Sequence, residues 1–227
     1  MSKLQDIKAS FEGIGGEFYS PVKKMTKKLE GVRVFLFDWD GVFNDGMKFG
    51  DQGSPFGEAD SMGINLLRLS YWLKLGVMPI TGIITGATNE AAEYFAKREG
   101  LECCIRGFTD KGNAFKVLCE KLKITPSEVA FVFDDVLDLP ISQVAGLRFC
   151  IRRKASPLFV DYVKENKLCD YITSSPGGYA AVRECCELMI SLGYDYTKAV
   201  QVRTEYGAQY KEYLVLRKAV KTLVIAP

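Results

Sequence analysis

The sequence predicts an α/β fold, a three-layer parallel sheet with helices on both faces. Two observations carry this. Short apolar runs alternate with helical patterns along most of the chain, the rhythm of repeated strand–helix–strand units. Three of those runs, 32–38, 79–84 and 129–133, are too continuously apolar for a half-exposed strand and read as buried on both faces. With 227 residues, 48% of them hydrophobic, the chain can fill one sizeable α/β core.

Residues 1–30 are polar and helical in parts, with a glycine-rich break at 13–16, and read as an N-terminal extension. The first strand spans 32–38. Segments 46–50 and 54–59 flank Asp51-Gln52-Gly53 and predict a hairpin, a small flap directly after an acidic loop. Met62, Leu66, Leu67, Leu69 and Leu73 predict an amphipathic helix over 61–75. The second buried strand, 79–84, ends at Thr85-Gly86. Asn89 is placed to cap a helix over 90–99 that Gly100 ends. A strand over 101–105 and a helix over 112–122 follow. Pro126 opens a turn into the strand 129–133, which ends at Asp134-Asp135. Further units are strand 147–151, helix 157–165, strand 170–173 and helix 179–192. Residues 193–227 form a C-terminal extension, with a helix predicted within 208–224. Its Tyr194, Tyr196, Tyr206, Tyr210 and Tyr213 point to an interface.

Composition excludes several chemistries. Histidine is absent, which removes Ser-His-Asp and Cys-His catalysis and zinc sites built on imidazole. Acid–base work then falls to carboxylates, Lys, Tyr or Cys. The 7 cysteines include two adjacent pairs and no C-x-x-C, so they predict neither a disulfide framework nor a zinc ribbon. They fit a reducing, cytoplasmic setting. A formal net charge of +2 with mixed signs gives no reason to expect nucleic acid. Lys23, Lys24, Lys27 and Lys28 read as a solvated helix face or arm. The first twenty residues do not resemble a signal peptide, and no apolar run is long enough for a membrane span.

The chemistry concentrates at predicted strand ends. Asp38 and Asp40 follow the first strand, and residues two apart on an extended chain face the same way, with Trp39 turned to the packing. Like charges this close call for a bound cation or a shared proton. Thr85 and Gly86 end the second strand, Lys111 opens the helix at 112, and Asp134, Asp135 and Asp138 follow the strand 129–133. A parallel sheet gathers its strand ends on one rim, so these groups can converge. Each residue type has a task if the substrate is a phosphate ester. A carboxylate can attack phosphorus, a second can move protons, and Lys111, Thr85 and backbone amides can hold the phosphoryl oxygens. Hard oxygen donors such as Asp38, Asp134 and a backbone carbonyl suit magnesium.

Four segments also resemble a known family. Asp38-Trp39-Asp40-Gly41-Val42, Ile83-Ile84-Thr85-Gly86, Lys111, and Phe133 through Pro140 look like the four ordered motifs of the haloacid dehalogenase (HAD) superfamily of phosphatases. Asp45-Gly46, the short hairpin, Gly63-Ile64 and Gly177-Gly178 with Ala181-Val182-Arg183-Glu184 resemble one branch, the 3-deoxy-D-manno-octulosonate 8-phosphate phosphatases, over about residues 31–192. The resemblance implies a Rossmann-like domain at 31–192 with a β-hairpin flap instead of a cap domain. It implies Asp38 as nucleophile and Asp40 as acid/base. It places Thr85, Gly86 and Lys111 on the phosphoryl group, and magnesium on Asp38, the Asp40 carbonyl and Asp134, with Asp135 or Asp138 in support. It further implies a sugar acid phosphate as substrate and a homotetramer in which a neighbouring subunit closes the site. The chain differs from the branch at Asn44, where Thr is usual, at Ala59 and Tyr179, where arginines are usual, at Phe133, where Gly is usual, and at Ser156, where His is frequent. These differences keep open a catalytically weak or inactive binding or assembly subunit. A mutase is opposed by the small flap, since phosphotransfer to a sugar must exclude water.

Overall fold

The computed structural model describes residues 3–48 and 55–227. Its sheet has eight strands: β1 Glu17–Phe18, β2 Val34–Asp38, β3 Ile80–Thr85, β4 Cys103–Arg106, β5 Val129–Phe133, β6 Leu147–Cys150, β7 Tyr171–Ile172 and β8 Leu223–Ile225. Their order is β1-β7-β6-β5-β2-β3-β4-β8. Every neighbouring pair is parallel except β1 with β7. The helices are α1 Lys3–Gly13, α2 Val22–Glu30, α3 Glu58–Leu75, α4 Glu90–Glu99, α5 Lys111–Leu122, α6 Leu139–Ser142, α7 Pro157–Glu165, α8 Ala181–Gly193, α9 Tyr196–Glu205 and α10 Ala208–Ala219. Among the described residues no helix is long and apolar enough to cross a membrane.

Side-chain alternation along β2 builds two cores. Phe35 and Phe37 join one apolar cluster with residues of α2, α3, α4, α8, α9 and α10. Val34 and Leu36 join the other, with residues of α5, α6 and α7. From β2 the chain winds to β3 and β4 on one side, then returns through β5 to β6 and β7 on the other. The winding therefore reverses between β2 and β5, and the crevice outside their carboxyl ends is where open α/β sheets bind ligands.

The interior strands follow the sequence reading within a few residues at their ends. The edges differ. β1 and β8 are not predicted: they are two and three residues long and lie in the terminal segments, outside the alternation of strands and helices that marks the others. The helix expected over 208–224 stops at Ala219, and 223–225 instead pairs with β4. The free edge of β4 offers backbone partners that a longer helix would leave unmet. The turn of the expected hairpin, within 49–54, lies outside the described residues. Of its outer ends, 46–48 and 55–57 carry no strand, and 58–59 already belong to α3. Glu58 and Asp60 place negative charge in the first turn of that helix, where the backbone dipole favours it.

The flanking segments are part of the same body. Met25 and Leu29 of α2 are buried in the first core, as are Tyr194, Tyr210 and Tyr213 of the aromatic tail. Tyr194 packs on Tyr71 and Tyr213 on Trp72, with ring centroids 5.7 and 5.8 Å apart. Tyr196 and Tyr206 remain exposed. All seven cysteines are free thiols, and only Cys119 is more than marginally accessible.

Candidate active site

The site is assembled from three strand ends and one helix start. β2 delivers Asp38 as its last residue, buried on the side of Val34 and Leu36 that faces α5. Trp39 turns to the other side, stacked on Phe43 with centroids 4.8 Å apart and tilted against Phe95. Asp40 returns to the side of Asp38 and pairs with Lys48. The loop then turns at Gly41 through a φ of +84°, and a Cβ there would run into the Asp134 carboxylate and the Arg153 guanidinium. Glycine is required on both counts.

Asn44 fastens this loop. Its Oδ1 accepts the backbone N–H of Gly41 at 3.3 Å and of Gly46 at 2.8 Å, and its Nδ2 donates to the Trp39 carbonyl at 3.4 Å. A side-chain amide both accepts and donates, so it can hold three points of a short loop at once. Gly177 and Gly178 press on the same loop, where a side chain at 177 would collide with the carbonyls of Gly41 and Asn44. Glu184 of α8 positions the preceding residues by accepting the N–H groups of Ser174 and Ser175 at 2.8 and 2.9 Å.

Thr85 ends β3 with its side chain buried, and Gly86 follows it. Lys111 is the first residue of α5, behind the cap that Asp110 makes to the Asn113 N–H at 3.0 Å. Its Nζ donates to Asp38 Oδ1 and to Asp138 Oδ1, both at 2.6 Å. Asp134 directly follows β5, and its Oδ2 accepts from Arg153 Nη2 at 2.5 Å. Asp135 is turned outward, where it caps the turn 136–138 by accepting from the Val136 N–H at 2.7 Å. One turn later Asp138 is fully buried beside Lys111.

All eight residues singled out in the sequence line one cavity of about 380 Å³: Asp38, Asp40, Thr85, Gly86, Lys111, Asp134, Asp135 and Asp138. Carboxylate oxygens of Asp38, Asp134 and Asp138 lie within 4.8 Å of one another. Of the two supporting carboxylates, Asp138 joins this cluster and Asp135 stays at the rim.

Burial dominates the electrostatics. It pushes the Asp38 carboxyl well above the usual carboxylate range, helped by the Asp138 charge and opposed by Lys111. Burial likewise raises Asp134 to about 6, against the pull of Arg153, and raises Asp138 against the pull of Lys111. Burial would discharge Lys111, but Asp38 and Asp138 outweigh it and hold the ammonium ion charged. Three buried carboxylates thus meet two cations, a surplus of negative charge made of hard oxygen donors. That donor set fits a divalent cation of the magnesium type.

Arg153 is the site residue the sequence reading does not single out. It lines the cavity from the loop after β6. The available signal is Arg152-Arg153 just past the carboxyl end of a strand, on the rim where the other groups gather. A second cavity of about 340 Å³ adjoins the loop, lined by Phe43, Asp45, Met47, Phe56 and Tyr179 among others.

Fold and site together define an α/β phosphatase in which three buried carboxylates converge in one cavity. The comparisons with known proteins agree. No protein-family model matches the chain. The 3-deoxy-D-manno-octulosonate 8-phosphate phosphatase KdsC of Escherichia coli K12 is 33% identical over 177 residues, covering 76% of this chain and 87% of that protein. A probable YrbI-family phosphatase from Pseudomonas syringae superposes with a TM-score of 0.65 at 28% identity, covering 82% of this chain and 99% of that one. The Moraxella catarrhalis 3-deoxy-D-manno-octulosonate 8-phosphate phosphatase, solved with magnesium, phosphate and KDO, superposes with a TM-score of 0.62 at 28% identity, with the same coverage of 82% and 99%. The chain belongs to the HAD superfamily of phosphatases, in its 3-deoxy-D-manno-octulosonate 8-phosphate phosphatase branch.

Proposed function

We propose that this phosphatase hydrolyses a sugar acid phosphate, 3-deoxy-D-manno-octulosonate 8-phosphate or a close analogue, with magnesium and through an aspartyl-phosphate on Asp38. The observation that carries the reading is the convergence of Asp38, Asp134 and Asp138 within 4.8 Å, with Lys111 bonded to two of them, at the point where the sheet reverses its winding. The substrate named for the E. coli relative, and the KDO and magnesium bound to the M. catarrhalis one, support the same choice.

The roles follow from position. Asp38 supplies the attacking oxygen. As its bond to phosphorus forms, the ester P–O bond breaks, and Asp40 gives its proton to the departing alkoxide. Asp40 then takes a proton from the water that attacks phosphorus, which releases phosphate and returns Asp38. Thr85, the backbone at Gly86 and the Lys111 ammonium hold the phosphoryl oxygens. Asp38, Asp134 and the Asp40 carbonyl would hold magnesium, with Asp138 in support, and the ion would neutralise charge on the phosphoryl group. Residues 31–192 form the catalytic unit in this reading, with 1–30 and 193–227 as extensions. The seven free thiols support a cytoplasmic setting. A homotetramer follows the branch, and light scattering tests it.

The decisive experiment is a panel of phosphorylated sugars and sugar acids with magnesium. Turnover concentrated on eight- or nine-carbon keto-acid phosphates is expected. Asp38→Ala should abolish it, and Asp40→Asn should lower kcat by roughly 10²–10⁴. Wild-type activity in cleanly purified Asp38→Ala would refute the mechanism.

A further inference from the structure

The geometry points to Arg153 as a second substrate-binding cation, held on Asp134 until a divalent ion takes that carboxylate. The inference rests on the function proposed above. Arg153 sits three residues beyond β6 on the carboxyl rim of the sheet. Its guanidinium reaches back over the acidic loop, where one nitrogen pairs with Asp134 Oδ2. Both terminal nitrogens lie 3.6 Å from where a Cβ on Gly46 would stand. The side chain is about one-third exposed (36%), whereas Asp134 is buried (3%).

Three features distinguish this pair from a structural salt bridge. The guanidinium lines the reaction cavity and is not sealed in the core. The contact described uses one of five N–H donors, so the planar fork that matches carboxylates and phosphates is not spent. And Asp134 is one of the three carboxylates close enough together to share a cation. A metal ion on Asp134 would compete with the guanidinium for the same carboxylate and the same charge. Once displaced, Arg153 stands at Gly46, beside the loop residues Asp45 and Met47 that line the second cavity. A substrate whose phosphoryl group lies against Lys111 and Thr85 extends past this point. The anionic end of a sugar acid then meets a guanidinium, and bidentate pairing gives it direction as well as charge.

Two measurements test the assignment on Arg153→Ala and on Arg153→Gln, which keeps more of the side-chain length. Magnesium titrated calorimetrically into the substrate-free protein should bind about tenfold more tightly to both variants, because the competing cation is gone and the competent state is fully populated. Unchanged or weaker magnesium binding would overturn the placeholder role. In steady-state assays, KM for a sugar acid phosphate should rise about tenfold or more, the value of a charged hydrogen bond, while KM for an aryl phosphate that carries no carboxylate moves by less than about threefold. Equal changes on both substrates would overturn the substrate role. Wild-type protein that turns over neither ester would sink the function proposed above, and the magnesium titration would still decide whether Arg153 guards Asp134.

Discussion

Asp134 sits at the carboxyl end of β5 with Arg153 on one oxygen, and burial lifts its pKa to about 6. In an unfolded chain the same carboxyl titrates at roughly 3.9. The folded value is the higher one, so the group favours the metal-free fold when protonated, and that contribution is lost as pH rises through about 6. A metal ion needs the ionised form, so protons and metal compete in the same window. Magnesium affinity should therefore weaken at least about tenfold between pH 7 and pH 5, as the one proton on Asp134 alone requires. A titration at three pH values checks this, and equal affinity at pH 5 and pH 7 would contradict it. Most of the site is legible in the sequence because it sits where apolar runs end. Asp38 and Thr85 end buried strands and Asp134 directly follows one, and a parallel sheet aligns such ends whatever their separation. What the sequence leaves open is rotation and reach. Asp135 and Asp138 are equivalent as letters, and only the turn 136–138 sends one outward to cap it and the other inward to Lys111. Arg153 acts across β5, and a side chain's partner on a neighbouring strand depends on a strand order that local pattern does not encode.

At the scale of elements, the packing of α3 against α8 sets how the Gly177-Gly178 segment meets the acidic loop. Asp60 in the first turn of α3 accepts the Arg183 N–H of α8 at 2.9 Å, and burial raises its pKa to about 6. Three residues on, a Cβ at Gly63 would stand 2.9 Å from the Arg183 Cα and 3.4 Å from the Cys186 Cβ. The helices approach this closely because Gly63 has no side chain. Alanine there would gain about 1 kcal/mol of helix propensity. Overpacking against backbone costs about 1–3 kcal/mol, and here the obstructing atom is a Cα that cannot rotate away. Gly63→Ala should therefore lower the melting temperature by a few degrees, about 2–4 °C per kcal/mol at this chain length. A higher melting temperature would show that the helices can separate without loss. The fold was readable here for the same reason it failed at the edges. α3 and the strands β2 to β6 are long or apolar enough to impose a period, whereas β1 and β8 exist only because β7 and β4 offer them an edge. The helix pattern of the tail likewise carries no mark of its end at Ala219, because Val220 to Thr222 could continue it as written.

The whole molecule is closed by its two ends, each adding the outermost strand on its own side of the sheet. On the β1 side one of the fastenings is a buried carboxylate. Asp170 accepts Lys28 Nζ and Ser20 Oγ, both at 2.6 Å, and Arg148 Nε at 3.1 Å. Two of these partners lie in the N-terminal extension and the third on β6, so one side chain joins the extension to the catalytic unit. Burial would raise its pKa, but Arg148, Lys28 and Ser20 outweigh burial and hold it below the usual carboxylate range. Glu17 of β1 is held down to about 2 in the same way, by Tyr19, Arg152 and Lys164 against the cost of burial. For both groups the folded pKa lies below the unfolded one. Their stabilisation is complete above roughly pH 4 and is lost as pH falls through the folded values, about 2 in the case of Glu17. Asp170→Ala removes the acceptor and leaves Lys28 and Arg148 facing each other without it, a change of the kind that costs about 3–5 kcal/mol. Urea unfolding at pH 7 should show that loss. At pH 3 the wild type has begun to forfeit the same interaction, so the gap between wild type and variant should narrow. A gap of equal size at both pH values would mean that packing around residue 170, and not its charge, ties the extension to the sheet.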